Sequence, residues 1–129
     1  MIALPLPPST NNMFINARNG KGRVISPTYR SWRKTAAKAL TLSSWDMPAR
    51  PYAITIRVNV NHQSDIDNRT KAVLDLLVEH KVIDGDQWVN ALHVYRDRSV
   101  DGCTVEFGDP HVTTIGEAAN HVLAGMIIG

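Results

Sequence analysis

The chain has a single cysteine, Cys103, among 129 residues. One thiol excludes an intramolecular disulfide framework and a cysteine-based zinc cluster. It fits a reducing cytosol. Long apolar runs are also missing, and none approaches the ~18 residues that a membrane-spanning helix requires. Residues 1–12 lack a basic segment and are rich in proline, so they are not expected to act as a signal peptide. Acidic side chains are absent from residues 1–45, which carry seven basic ones: Arg18, Lys21, Arg23, Arg30, Arg33, Lys34 and Lys38. Residues 46–129 hold the other seven basic groups and all twelve acids, so a net charge of +2 conceals +7 followed by −5. A block of one sign concentrates anionic ligands near it. Nucleic acid is the obvious candidate, and a solvated basic face paired with the acidic half is the plain alternative.

What is present, 43% hydrophobic and 20% charged residues, suits one ordinary domain. Ile2 to Leu6, ending in prolines, reads as an edge strand. Asn19-Gly20-Lys21-Gly22 reads as a connector or hairpin turn with Arg23-Val24-Ile25 returning. Ser26-Pro27 is a helix start signal, since serine caps free amides and proline suits the first helical position. The helix is expected over about Thr28–Leu42, with Trp32, Ala36, Ala39 and Leu40 inward. Tyr52 to Val60 alternates at period two and predicts a strand. A second helix is expected over Asp67–His80, with Val73, Leu74, Leu77 and Val78 as its apolar stripe. Trp88–Tyr95 and Cys103–Phe107 read as further strands, each after an Asp-Gly turn. In the tail, Thr114-Ile115-Gly116-Glu117 matches a capping box, and a short amphipathic helix or disorder are the two readings. The trio Trp32, Trp45 and Trp88 reads as core in preference to base-stacking platforms. Cys103 reads as buried and inert.

The chemistry concentrates in Asp65-Ile66-Asp67-Asn68-Arg69-Thr70-Lys71 and in Asp84-Gly85-Asp86. Asp65 and Asp67 lie two apart after a strand, and an extended backbone would aim both carboxylates to one side. Lys71 stands one helical turn beyond Asp67, and Asp86 precedes the next strand. Three gathered carboxylates repel unless a cation compensates. Hard oxygen donors suit Mg²⁺, with Mn²⁺ as a substitute, and a phosphate substrate can complete the shell. Such an ion activates water and offsets phosphate charge, and a nearby lysine stabilises the developing charge. Together with the basic arm this suggests phosphodiester hydrolysis. The same residues admit a structural reading: Asp65 or Asp67 as helix caps, Lys71 as a solvated helix residue, Asp84-Gly85-Asp86 as a turn. Asp75 continues the Asp67–Lys71 edge and is placed to pair with Lys71. A calcium loop is excluded by its missing glycine and glutamate, and His62, His80 and His93 lack ligand spacing.

At these residues the sequence resembles the RusA family of Holliday junction resolvases, common in prophages. The resemblance rests on Asp65-x-Asp67-Asn68-x-x-Lys71-x-x-x-Asp75, then Asp86-x-x-Val89. It rests also on the proline-rich opening Leu4 to Asn12, and on Ser26, Tyr29 and Arg30 leading into the first helix. It covers about residues 2–107. It implies an α/β (α+β) fold, with a small mixed sheet of about four or five strands and two main helices packed on it. It implies a homodimer and a Mg²⁺-dependent endodeoxyribonuclease that makes symmetric cuts in four-way DNA junctions during recombination and repair. Asp65, Asp67 and Asp86 take the positions of catalytic, metal-binding aspartates, and Lys71 that of the catalytic lysine. One departure is Gly85, which separates Asp84 from Asp86 where adjacent acids are usual; spacing favours Asp86 as ligand and leaves Asp84 as the alternative. Expected phosphate contacts are Lys21, Arg23, Arg30, Arg33, Lys34 and Arg69. The expected organisation is an endonuclease domain over 1–107 and a tail over 108–129, in a cytoplasmic protein. The rival from another class is a branched-DNA-binding protein that does not cut. A third is an interaction protein that uses the apolar tail as its contact.

Overall fold

Strand pairing follows from the burial demands of the central segment. In the computed structural model, residues 1–108 are described. The helix expected in the tail lies outside them. Tyr52–Val58 forms β4, and Tyr52, Ile54, Thr55, Ile56 and Val58 are all buried. A strand covered this fully belongs inside a sheet. It sits between β5 (Val89–Arg96), to which it is parallel, and β6 (Cys103–Phe107), to which it is antiparallel. The edge strand expected at the N-terminus is β1 (Ile2–Leu4), which pairs with β6 so that the order is β1-β6-β4-β5. The sheet is therefore mixed and four-stranded. Gly102 makes the turn into β6 at φ +73°, and a Cβ there would stand 2.6 Å from the Leu4 carbonyl oxygen.

A second, two-stranded sheet pairs β2 (Phe14–Asn16) with β3 (Arg23–Ile25), with the expected glycine-containing turn between them. It leads directly into α1 (Pro27–Leu42). Ser26 caps that helix as predicted: its Oγ accepts from the Tyr29 N–H at 3.0 Å and donates to the Asn12 carbonyl at 2.6 Å. Tyr29, Trp32, Ala36 and Leu40 are the buried face of α1. Phe14 meets Tyr29 edge-on at 6.0 Å between ring centres, which joins the hairpin to the helix.

A parallel β4–β5 pair requires a crossover, and α2 (Thr70–Glu79) is its helical part. Ala72, Val73, Leu76 and Leu77 are its buried face. They share one core with the inner residues of α1, β1, β4 and β6. Each fully buried aliphatic side chain there contributes about 1.5–3 kcal/mol. The expected helix start at Asp67 is corrected. Residues Asp67–Arg69 form a single 3-10 turn, and regular α-helix begins at Thr70. The strand expected from Trp88 likewise starts one residue later, because Asp86–Trp88 is another 3-10 turn.

Candidate nuclease site

The acidic loop between β4 and α2 is held at three points by distant parts of the chain. Arg96, at the end of β5, donates from Nε to the Asn61 carbonyl at 3.2 Å and also bonds the Ser64 carbonyl. The Thr10 hydroxyl donates to the Asn68 carbonyl at 2.9 Å. Arg69 Nη1 donates to the Pro7 carbonyl at 2.7 Å. The proline-rich opening is thus a brace for the loop that carries Asp65 and Asp67. Nothing local in the sequence marks Thr10, Pro7 or Arg96 for this role, since their partners lie 32 to 62 residues away.

Within the loop, the expected extended geometry is not formed. Ile66 has φ −88° and ψ −28°, a helical conformation. Residues two apart on a helical backbone diverge, so the extended-chain argument for a shared side does not apply to Asp65 and Asp67. Both carboxylates are exposed. Asn68, next in sequence, keeps a buried side-chain oxygen with no hydrogen-bond partner among the described residues. Lys71 is the second residue of α2 and pairs with Asp75, with Nζ 3.2 Å from Oδ2. This is the pairing that the four-residue spacing predicts.

Asp86 stands apart, at the start of the 3-10 turn that follows α2. It lines a groove of about 650 Å³ with Asp75, Glu79, Tyr29, Arg33 and Asp84. Asp65, Asp67 and Lys71 are not among its lining residues. Asp75 is eight residues beyond Asp67, about 13 Å of rise along the 3-10 turn and α2. Lys71 links the two regions through its ion pair. Asp84 is already engaged: its carboxylate lies 3.2 Å from Arg50 Nε, and its N–H donates to the Tyr52 hydroxyl at 3.1 Å. In the groove, burial first and the Asp75 carboxylate second push the Tyr29 hydroxyl pKa up, with Arg33 opposing.

The implied divalent cation can be tested against these donors. They are hard oxygens at an exposed face, with an unpaired amide oxygen beside them. Among the described residues, however, no three acidic, histidine or cysteine side chains are grouped to hold an ion. The set therefore fits an ion held by one or two carboxylates and completed by water and substrate phosphate, the usual manner of Mg²⁺. It does not form a closed three-carboxylate cage within the chain.

The expected phosphate contacts divide. Arg30, Arg33 and Lys34 line one groove with Ala37, Glu79 and His80. Arg33 is partly committed, with Nη2 2.7 Å from Glu79 Oε1 and its guanidinium over the Tyr29 ring. Lys21 is exposed at the hairpin turn, and the neighbouring Arg23 lies 5.7 Å from the Phe14 ring centre. Arg69 bonds Pro7 through Nη1, and its Nε is buried without a hydrogen-bond partner among the described residues. It serves the loop's architecture in this structure.

A family model, endodeoxyribonuclease RusA, matches residues 5–107. The chain belongs to the RusA endodeoxyribonuclease family. No curated protein matches it. The RusA match takes in the brace, the acidic loop, α2, the Asp86 turn and all of the main sheet except β1. No helix among the described residues is long and apolar enough to cross a membrane.

Proposed function

We propose that the chain is a homodimeric, Mg²⁺-dependent endodeoxyribonuclease that resolves four-way DNA junctions in recombination and repair in the cytoplasm. One observation carries the reading. A RusA-family chain presents Asp65, Asp67 and Lys71 at the head of α2, with Lys71 tied to Asp75 and Asp86 beside Asp75 on the adjoining groove. Asp65, Asp67 and Asp86 are the proposed catalytic and metal-binding carboxylates. One or two of these carboxylates, with water and substrate phosphate, would hold a divalent ion, which would supply an activated water and neutralise phosphate charge. Lys71 neutralises charge on the scissile phosphate, and its bond to Asp75 orients the ammonium for that work. Arg30, Lys34, Lys21, Arg23 and the uncommitted part of Arg33 draw in the backbone of the arms. A two-fold dimer presents two related sites to a two-fold junction, which matches paired symmetric cuts.

The rival, a branched-DNA binder that does not cut, draws on the absence of a three-carboxylate group among the described residues. An end-labelled synthetic junction, with Mg²⁺ and with EDTA, against a linear duplex of the same sequence separates the two. Paired nicks on the junction only, and only with Mg²⁺, support the nuclease. A shifted but uncut junction in both buffers supports the binder.

A further inference from the structure

The three tryptophans occupy unlike environments. Trp32 is buried and donates its indole N–H to the Pro5 carbonyl at 3.0 Å. Trp45 is half-buried against the core. Trp88 is 42% exposed, contrary to the core reading. The Arg50 guanidinium lies over its ring at 4.7 Å from the centre and also contacts Asp84. The result is an exposed aromatic surface, faced by an acid-paired guanidinium, that ends the turn beginning with Asp86.

We propose that the Arg50–Trp88 stack is a docking plate for a nucleobase of branched DNA, beside the phosphodiester that Asp86 addresses. The proposal rests on the nuclease reading above and adds a recognition element to it. Position is the first argument. Asp86 and Trp88 open and close one three-residue 3-10 turn, about 4 Å apart along its axis. Three residues per turn set the side chains of Asp86 and Trp88 about 120° apart. In keeping with this, Asp86 and Gln87 line the groove and Trp88 does not. Asp86 and Trp88 therefore serve adjoining surfaces of the same turn.

Chemistry is the second argument. Any base offers a π-face to an indole, and an adjacent guanidinium strengthens the attraction. Arg50 also offsets Asp84, whose charge would otherwise repel the strand at this point. A base within an intact duplex is covered on both faces by its neighbours. A base at a branch has lost continuous stacking and can be drawn out at lower cost. The plate thus favours junctions over linear duplex.

The test places 2-aminopurine at each nucleotide flanking the branch of a synthetic junction and titrates it with wild type, Trp88→Ala and Trp88→Phe. Wild type is expected to change the probe's emission at one flanking position. Trp88→Ala should lose that change and weaken junction binding about tenfold, with duplex binding little altered, and Trp88→Phe should restore most of both. If wild type and Trp88→Ala bind the junction equally with the same probe response, this proposal falls and the nuclease reading stands. If wild type neither binds nor cuts the junction, both fall. If Trp88→Ala dissociates a dimer in sedimentation without DNA, the plate is a subunit contact and the proposal is overturned. Should Trp88→Ala fail to fold, photocrosslinking of wild type to 5-iododeoxyuridine at the same positions decides. A crosslink at Trp88 supports the plate, and crosslinks only elsewhere reject it.

Discussion

Arg69 reaches back across 62 residues to bond the Pro7 carbonyl at 2.7 Å, while two residues earlier in its own loop stands Asp67. A basic side chain next to an acidic cluster invites assignment to DNA. Here it fastens the N-terminal segment to the loop, and Thr10 fastens the same segment again at Asn68.

Arg69→Ala should destabilise the protein by about 1–3 kcal/mol, because it leaves a carbonyl unpaired and removes a partly buried guanidinium. Urea unfolding measures this. Thr10→Val, which removes one neutral bond, should cost about 1 kcal/mol. Equal, negligible effects of both would show that the brace contributes nothing.

Asp84 and Asp86 should separate cleanly under mutation. Asp84 is tied to Arg50, and an exposed pair of that kind contributes about 0–1 kcal/mol. Asp84→Asn should therefore retain most cleavage. Asp86→Asn and Asp67→Asn should each reduce junction cutting by a hundredfold or more, on the order expected when a group stabilising the transition state is lost, while gel-shift binding persists. Persistent cutting by Asp67→Asn would sink the proposed site.

Binding should weaken steeply with salt. Removing one phosphate contact lowers the slope of log affinity against log salt by about one. Arg30→Ala and Lys34→Ala are expected to do so. Arg69→Ala, whose guanidinium is occupied, should leave the slope unchanged. Titrations at three or more salt concentrations read this directly.

Cys103 is fully buried in β6, and burial pushes its thiol pKa up to about 12 from the ordinary 9.0. Thiol reagents should label it only after unfolding. The raised pKa also sets a sign. Between about pH 9 and 12 the unfolded thiol ionises and the folded one does not, so folding stability falls as pH rises through that window. The loss from this group is at most ~1.4 kcal/mol per pH unit. Cys103→Ala should flatten that part of the profile, as chemical denaturation at several pH values would show.

Local signals carried much of the fold. Ser26-Pro27 marked α1 because the cap is satisfied within three residues. The alternation of Tyr52 to Val60 marked a strand, which in the structure ends two residues earlier at Val58, and Cys103–Phe107 kept its expected limits because Asp101-Gly102 makes its turn. The four-residue spacing was enough to pair Lys71 with Asp75. Start positions were less legible. Asp67 and Asp86 open 3-10 turns, whose tighter winding leaves no distinct hydrophobic period over three residues.

What the sequence determined by itself, then, is whatever depends on neighbours within a few residues: caps, periods, turns and the motif that marks a RusA-family chain. Tertiary structure decided which distant groups meet. It set Asp86 beside Asp75, gave Arg69 to Pro7, tied Asp84 to Arg50 and left Trp88 at the surface. The physical reason is that these contacts arise from the crossover that lays β5 parallel to β4 and from the return of the N-terminal segment. Their partners are chosen by core packing, and no local preference of the chain encodes that choice.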